Sequence, residues 1–375
     1  MTRLRRGTIV AGVFVLVALG FFATGHWLRG AAALVIAVIP FVIGLPWRRQ
    51  VAFAAIAIAF STAVTLAFVA AVDLYLHHRF SRTGGYNIWG YRGDPVSAKA
   101  PGETRIEYLG GSVAFGYGVS TDETIPAYLE RELTSERPHV RVINLGWNSE
   151  GAHSMRPTLE DYKYLHSDAA ILYSGYNDLL DTNLLVFRHS SALFRLTGYM
   201  PILPVIPIRD WLRLNNLSDT FTEKVVFKPN LADRYASGAA ETALRISRAL
   251  EHQLGRLTTT DPPTQVSREA RNRWQFYTTA VREAVTTALD QHLLVFVVSE
   301  PYISEYHMEQ QAAVAQMLSA DFGGNPRVRY INAGRAVDLH DTSLCYDGMH
   351  LTAAGNRRVA AFLREPVLDG LRTLR

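Results

Sequence analysis

Residues 105–120 read RIEYLGGSVAFGYGVS. Residues 106–109 form a short apolar strand that runs into Gly110-Gly111 and then Ser112. Glycines let the backbone turn sharply at little steric cost, so the serine hydroxyl is carried into the open at a strand end. A serine presented there acts as a nucleophile only if a base lies within hydrogen-bond reach. Otherwise the stretch is simply a turn. The rest of the chain must supply that base, an acid to orient it and donors for an oxyanion.

Downstream, helical and strand patterns alternate. Helical spacing covers 125–136, and VRVINL at 140–145 is a strand. A helix is predicted over 157–166, and AAILY at 169–173 is an apolar strand running into Ser-Gly-Tyr-Asn-Asp. A long amphipathic helix follows over 267–292, then the very apolar strand LLVFVV at 293–298. Helix 309–319, strand 328–331 and a final helix over 351–374, broken at Pro366, complete the series. Short apolar strands alternating with helices predict an α/β domain whose parallel sheet is covered on both faces. Residues 179–266 interrupt the alternation with a long insertion that includes YMPILPVIPIRDWLRL. It is too proline-rich for one helix and too apolar for a free loop. A lid or membrane-lying segment beside the site is one reading, and extra packing on the core is the other.

In such a sheet, ligands gather beyond the carboxyl ends of the strands. Four loops therefore belong on one edge: Gly110-Gly111-Ser112, the run Asn144 to Gly151 (NLGWNSEG), Gly175-Tyr176-Asn177-Asp178, and Asp347-Gly348-Met349-His350. Asp347 and His350, at a helix start, share a face. A carboxylate there can hold one imidazole nitrogen so that the other takes a serine proton. The Asn177 amide can donate to a developing oxyanion, as can backbone N–H groups at Ser112 and in the 149–151 loop. Each feature has a plainer reading: Asp347 as a helix cap with His350 at the surface, and Asn177-Asp178 as an Asx turn. Their concurrence at four strand ends favours the chemical reading. His153 and His340 lie near the same edge without an assignable role.

The blocks LGGSVAFGYGV, NLGWNSEG, GYND and DGMHLTAAGN resemble those of the SGNH hydrolase superfamily, the GDSL-like lipases and esterases, in a membrane-anchored bacterial form. The resemblance implies a three-layer α/β/α, flavodoxin-like fold and hydrolysis of acyl or O-acetyl esters on lipids or envelope glycans. It also implies that Ser112 is the nucleophile, His350 the base and Asp347 its orienting acid, with Asn177 and the Ser112 N–H as oxyanion donors. The sequence departs from the pattern twice. Gly111 stands where the name-giving motif has aspartate, and the expected oxyanion glycine falls on Ser149, with Gly151 two residues on. The same triad also serves acyl or acetyl transfer to an envelope polysaccharide, and a non-catalytic envelope scaffold is the reading from another class.

Composition bounds the remaining possibilities. Three apolar runs, 7–25, 31–47 and 51–76, open the 375-residue chain, against the ~20 residues that cross a bilayer core. They predict three transmembrane helices over 1–78 and the lipid bilayer as a partner, followed by an arm over 79–104 whose aromatics pack on the hydrolase domain at 105–375. Arg3, Arg5, Arg6, Arg48 and Arg49 put the N-terminus in the cytoplasm and the domain outside it. Eight arginines against one acid give residues 1–82 a charge of +7, which leaves −3 on the rest of a chain of formal net charge +4. The basic balance belongs to the membrane flanks, which argues against a nucleic-acid partner. Cys345 is the single cysteine, so no internal disulfide forms. No His-Glu-x-x-His or paired cysteines suggest a metal, and the glycines at 111–116 lack the Lys-Ser/Thr of a phosphate loop. No cofactor is implied.

Overall fold

The computed structural model describes residues 15–17, 47–80, 85–179, 182–203 and 272–374. Five strands form one parallel sheet: β1 (Thr104–Gly110), β2 (Val140–Asn144), β3 (Ala169–Ser174), β4 (Leu294–Ser299) and β5 (Val328–Ile331), in the order β2-β1-β3-β4-β5. The sequence places all five to within two residues at either end. The register stacks Ile106, Ala169 and Leu294 in one row, and Tyr108, Ile171 and Phe296 in the next. Every residue of β3 and β4 is buried, as expected of central strands covered on both faces.

Among the described residues the α-helices of this domain are α2 (Ser112–Phe115), α3 (Ile125–Thr134), α4 (Met155–Tyr162), α5 (Phe187–Ser190), α6 (Ala192–Thr197), α7 (Gln275–Asp290), α8 (Glu305–Phe322) and α9 (Ala353–Leu371), after α1 (Trp47–Phe80). Helix α9 packs on α3, while α7 packs on both α4 and α8. Crossovers between parallel strands are right-handed almost without exception, and with this strand order that rule assigns the two groups to opposite faces of the sheet. Gly370 of α9 lies so close to the sheet that a Cβ there would meet Phe296 Cζ at 2.4 Å.

Helix α9 runs through Pro366 instead of breaking there. An interior proline costs about 3 kcal/mol. Val367, Leu368 and Leu371, just beyond it, are buried against the sheet, and burying each contributes about 1.5–3 kcal/mol. Packing therefore outweighs the proline.

The chain divides into two units, Met1–Val72 and Asp73–Arg375. In the first, Val51, Phe53, Ile56, Ile58, Phe60, Val64, Leu66 and Phe68 of α1 are all exposed. The segment Val51–Phe80 contains an 18-residue stretch of mean hydropathy 2.3 and is long and apolar enough to cross a membrane. The predicted span at 51–76 lies on this helix. The predicted spans at 7–25 and 31–47 fall almost wholly outside the described residues, as does the insertion from 204 to 271.

The second unit corrects the expected arm. The helix continues to Phe80, and Asp73, Leu76, His77 and Phe80 form a buried stripe at the i, i+3, i+4, i+7 spacing of a packed face. Asp73 accepts N–H groups from Ile202 (3.0 Å) and Leu203 (2.6 Å). The ring nitrogens of His77 lie 2.9 Å from the Tyr86 carbonyl and 3.0 Å from that of Met200. Beyond it, Tyr86 and Tyr91 are buried as the sequence anticipated, and so is Arg92.

Candidate active site

The order β2-β1-β3 reverses the direction of winding between β1 and β3, and ligands bind in the crevice such a reversal opens. Gly110 ends β1 opposite Tyr173 of β3. A Cβ on Gly110 would sit 2.0 Å from the Tyr173 carbonyl oxygen, so only glycine allows this approach. Ser112 then heads the one-turn helix α2, which Gly116 closes at φ +83° in the left-handed region. Val113, Ala114 and Phe115 are buried beneath it. The serine remains at the surface of the crevice because its neighbours anchor the turn.

His350 Nε2 lies 2.9 Å from Ser112 Oγ, and His350 Nδ1 lies 2.6 Å from Asp347 Oδ2. The other Asp347 oxygen accepts the backbone N–H groups of Met349 (3.0 Å) and His350 (2.7 Å). Burial pushes the Asp347 carboxyl up, but hydrogen bonds from the His350 ring and these backbone groups outweigh it and hold the carboxyl below its usual range. An ionised Asp347 fixes the proton on Nδ1, which leaves the Nε2 lone pair facing the serine. The ring is flanked by Tyr117 at 4.6 Å and Tyr346 at 6.4 Å between centroids, and the Tyr346 hydroxyl donates to the Tyr117 carbonyl.

The sequence expectation that the pair opens the last helix is not met. Gly348, at φ +77°, and a bridge between Cys345 and Leu351 make the pair's own segment a closed turn. The helix starts at Ala353, where the Thr352 hydroxyl caps Gly355 N–H. Asp347 therefore caps its own turn, not the helix, and faces the imidazole at once.

Asn177 sits in the 3-10 turn Tyr176–Asp178 that follows β3. Its Nδ2 donates to the Glu150 carbonyl at 2.9 Å and lies directly against Gly111. The loop before it holds Ser149 at φ +65°, its carbonyl accepting from Asn183 Nδ2 at 2.9 Å. Gly151 packs on Asp178: a Cβ there would fall 2.3 Å from Asp178 Oδ1. Asp178 is buried, not solvated, and accepts the Ala152 N–H at 2.9 Å. Thus Ser112, Asn177 and the 149–151 loop meet at one edge with His350 and Asp347. His153 instead packs its ring on Phe276, and His340 is exposed. Among the described residues, no group of three potential metal ligands occurs.

Several supporting residues were assigned no role from the sequence. Glu150 accepts Phe187 N–H (2.8 Å) and faces Arg188 Nη1 at 3.6 Å. Both side chains are almost wholly buried. Arg188 also donates to Gly90 O (3.0 Å), Thr158 Oγ1 (3.1 Å) and Leu145 O (2.5 Å). Burial pushes the Glu150 carboxyl up against the opposing pull of Arg188. Beneath the Asn177 turn, Glu300 accepts Tyr176 N–H at 2.8 Å. Burial raises Asp178 to about 7 and Glu300 to about 8. Glu150 was visible in the NLGWNSEG block, but an isolated arginine such as Arg188 carries no pattern.

No protein-family model and no curated protein matches the chain. Solved structures similar to it include a GDSL-like lipase from Bacteroides thetaiotaomicron VPI-5482 (9% identity, TM-score 0.38, covering 73% of this chain and 92% of that one). A Clostridium thermocellum family 3 carbohydrate esterase is similar at 13% identity and TM-score 0.40, covering 72% and 98% of the two chains. A psychrotrophic esterase from Pseudoalteromonas sp. is similar at 11% identity and TM-score 0.38, covering 72% and 100%. At such levels no chemistry carries over, and what the site can do rests on its own geometry.

Proposed function

We propose that the protein is a membrane-anchored serine ester hydrolase acting on acyl or O-acetyl esters. One observation carries the reading: a serine hydroxyl, an imidazole and a carboxylate in series, at 2.9 and 2.6 Å, at the winding reversal of a parallel sheet. Ser112 Oγ attacks the ester carbonyl while His350 Nε2 takes its proton. Asp347 holds the Nδ1–H and stabilises the imidazolium that forms.

The oxyanion is met by the Ser112 N–H, which has no partner inside its own short helix. The second N–H of Asn177 and a backbone N–H at Ser149 or Gly151 complete the donors. His350 then returns the proton to the leaving alkoxide. Water, activated by the same imidazole, releases the acyl group from Ser112. The apolar segment Val51–Phe80 supports anchoring in a bilayer, with the hydrolase domain on the extracytoplasmic side.

The full chain, purified in detergent, tests this. A fluorophosphonate probe labels the wild type and fails to label Ser112→Ala. Equal labelling of both, or of neither, rejects the proposal. Relative rates on acetyl and long-acyl nitrophenyl esters then define the acyl group.

A further inference from the structure

Arg92 belongs to the segment before β1, far in sequence from the relay, and its side chain is buried. Its Nη1 donates to the carbonyls of Phe115 and Gly116, the latter at 2.7 Å. Its Nη2 donates to Val119 O at 2.5 Å, and its Nε to Thr121 Oγ1 at 3.4 Å. The guanidinium lies 4.6 Å from the centre of the Phe115 ring. Its backbone N–H donates to Asn144 O (3.0 Å), while Asn144 Nδ2 donates to Phe115 O (3.2 Å). Its hydrogen-bond acceptors are all neutral oxygens, and the nearby carboxylates of Asp122 and Glu123 act on it only through space. Desolvating a guanidinium that no carboxylate pairs directly costs several kcal/mol, so a fold that retains one gains something specific from it.

The acceptors show what is gained. Phe115 O and Gly116 O stand at the carboxyl end of the one-turn helix that begins with Ser112. Such end carbonyls have no partner within the helix, and a cation is favoured beside them. A single turn of four residues has too few internal hydrogen bonds to hold its own orientation. Arg92 gathers three carbonyls from residues 115, 116 and 119 on one planar fork, a geometry that lysine cannot reproduce.

We propose that Arg92 is a positioning residue for the nucleophile, clamping the Ser112–Val119 turn from behind so that Ser112 Oγ stays in line with His350 Nε2. The inference rests on the hydrolase reading. It ties the segment between the apolar helix and the domain directly to the reacting serine.

The test uses the full chain with p-nitrophenyl acetate and the fluorophosphonate probe. Arg92→Lys lowers kcat and the labelling rate together by about 100-fold while KM stays nearly constant, the scale of loss for a nucleophile displaced by about 1 Å. Methylguanidine restores activity to Arg92→Ala but not to Ser112→Ala. Should neither Arg92 variant fold, Asn144→Ala removes the neighbouring donor to Phe115 O and also lowers kcat at constant KM. A folded Arg92→Lys labelled at the wild-type rate, or an Asn144→Ala with unchanged kcat, overturns the inference and leaves the hydrolase reading intact. An unlabelled wild type overturns both.

Discussion

Gly111 and Asn177 are packed so tightly that a Cβ on residue 111 would lie 2.3 Å from Asn177 Nδ2 and 3.0 Å from the Glu150 carbonyl. Gly111 has φ −81°, outside the left-handed region, so positive φ is not what demands glycine there. Crowding by its neighbour does. At the position where the sequence departs from Gly-Asp-Ser, a side chain would thus press on Asn177, the amide proposed to meet the oxyanion.

Gly111→Asp and Gly111→Ala should accordingly behave like Asn177→Ala. Losing one oxyanion donor costs about 10²–10³ in kcat, and all three variants should fall in that range with thermal unfolding close to wild type. Steady-state hydrolysis of a nitrophenyl ester measures it. A fully active Gly111→Asp would show that Asn177 is not held where the reaction needs it.

The buried Glu150–Arg188 pair braces the loop whose carbonyl receives Asn177. Removing one member leaves the other without its partner in the interior, a change of about 3–5 kcal/mol. Arg188→Met should lower the denaturation midpoint strongly. The double variant Arg188→Met, Glu150→Gln should recover part of the loss, because no charge is then stranded. Chemical denaturation of the single and double variants decides the matter, and strictly additive losses would exclude coupling.

Glu300 and Asp178 make stability depend on pH in a defined direction. Burial raises them to about 8 and about 7 from the ordinary carboxyl values of 4.5 and 3.8. The folded state therefore holds protons that the unfolded chain gives up. Their favourable contribution is complete below about pH 4 and is lost as pH rises through 7 and 8. Glu300→Gln keeps an acceptor for Tyr176 N–H and removes the charge. Its melting temperature should drop less than that of wild type between pH 4.5 and 8. Parallel melting curves for the two proteins would show that Glu300 does not ionise in this window.

Much of this was legible because parallel strands announce themselves as short apolar runs, and because Ser112 and Asn177 lie directly behind two of those runs. Asp347 and His350 stand well beyond the last strand, and their pairing was read from their spacing and from the family resemblance. Other features turned on contacts at a distance. The stripe Asp73, Leu76, His77 and Phe80 is hidden within an apolar run whose only acid is Asp73. Arg92 and Arg188 bind mainly backbone carbonyls, which leave no trace in composition. Pro366 misled because packing beyond it outweighs its local cost. Ser149 and Gly151 remain two candidates for one donor, since a backbone N–H belongs to any residue.

The bond between Ser112 and His350 spans 238 positions of the chain. Domains begin folding from the N-terminal side while synthesis continues, so β1, β2 and β3 can assemble with the serine in place long before its base exists. Until the last few dozen residues are made and the 347–350 turn closes, the hydroxyl is an ordinary alcohol. On the proposed hydrolase reading, reactivity is thus deferred to the end of the chain's own biosynthesis, and a chain cut short before Asp347 would be inert however well its sheet had formed.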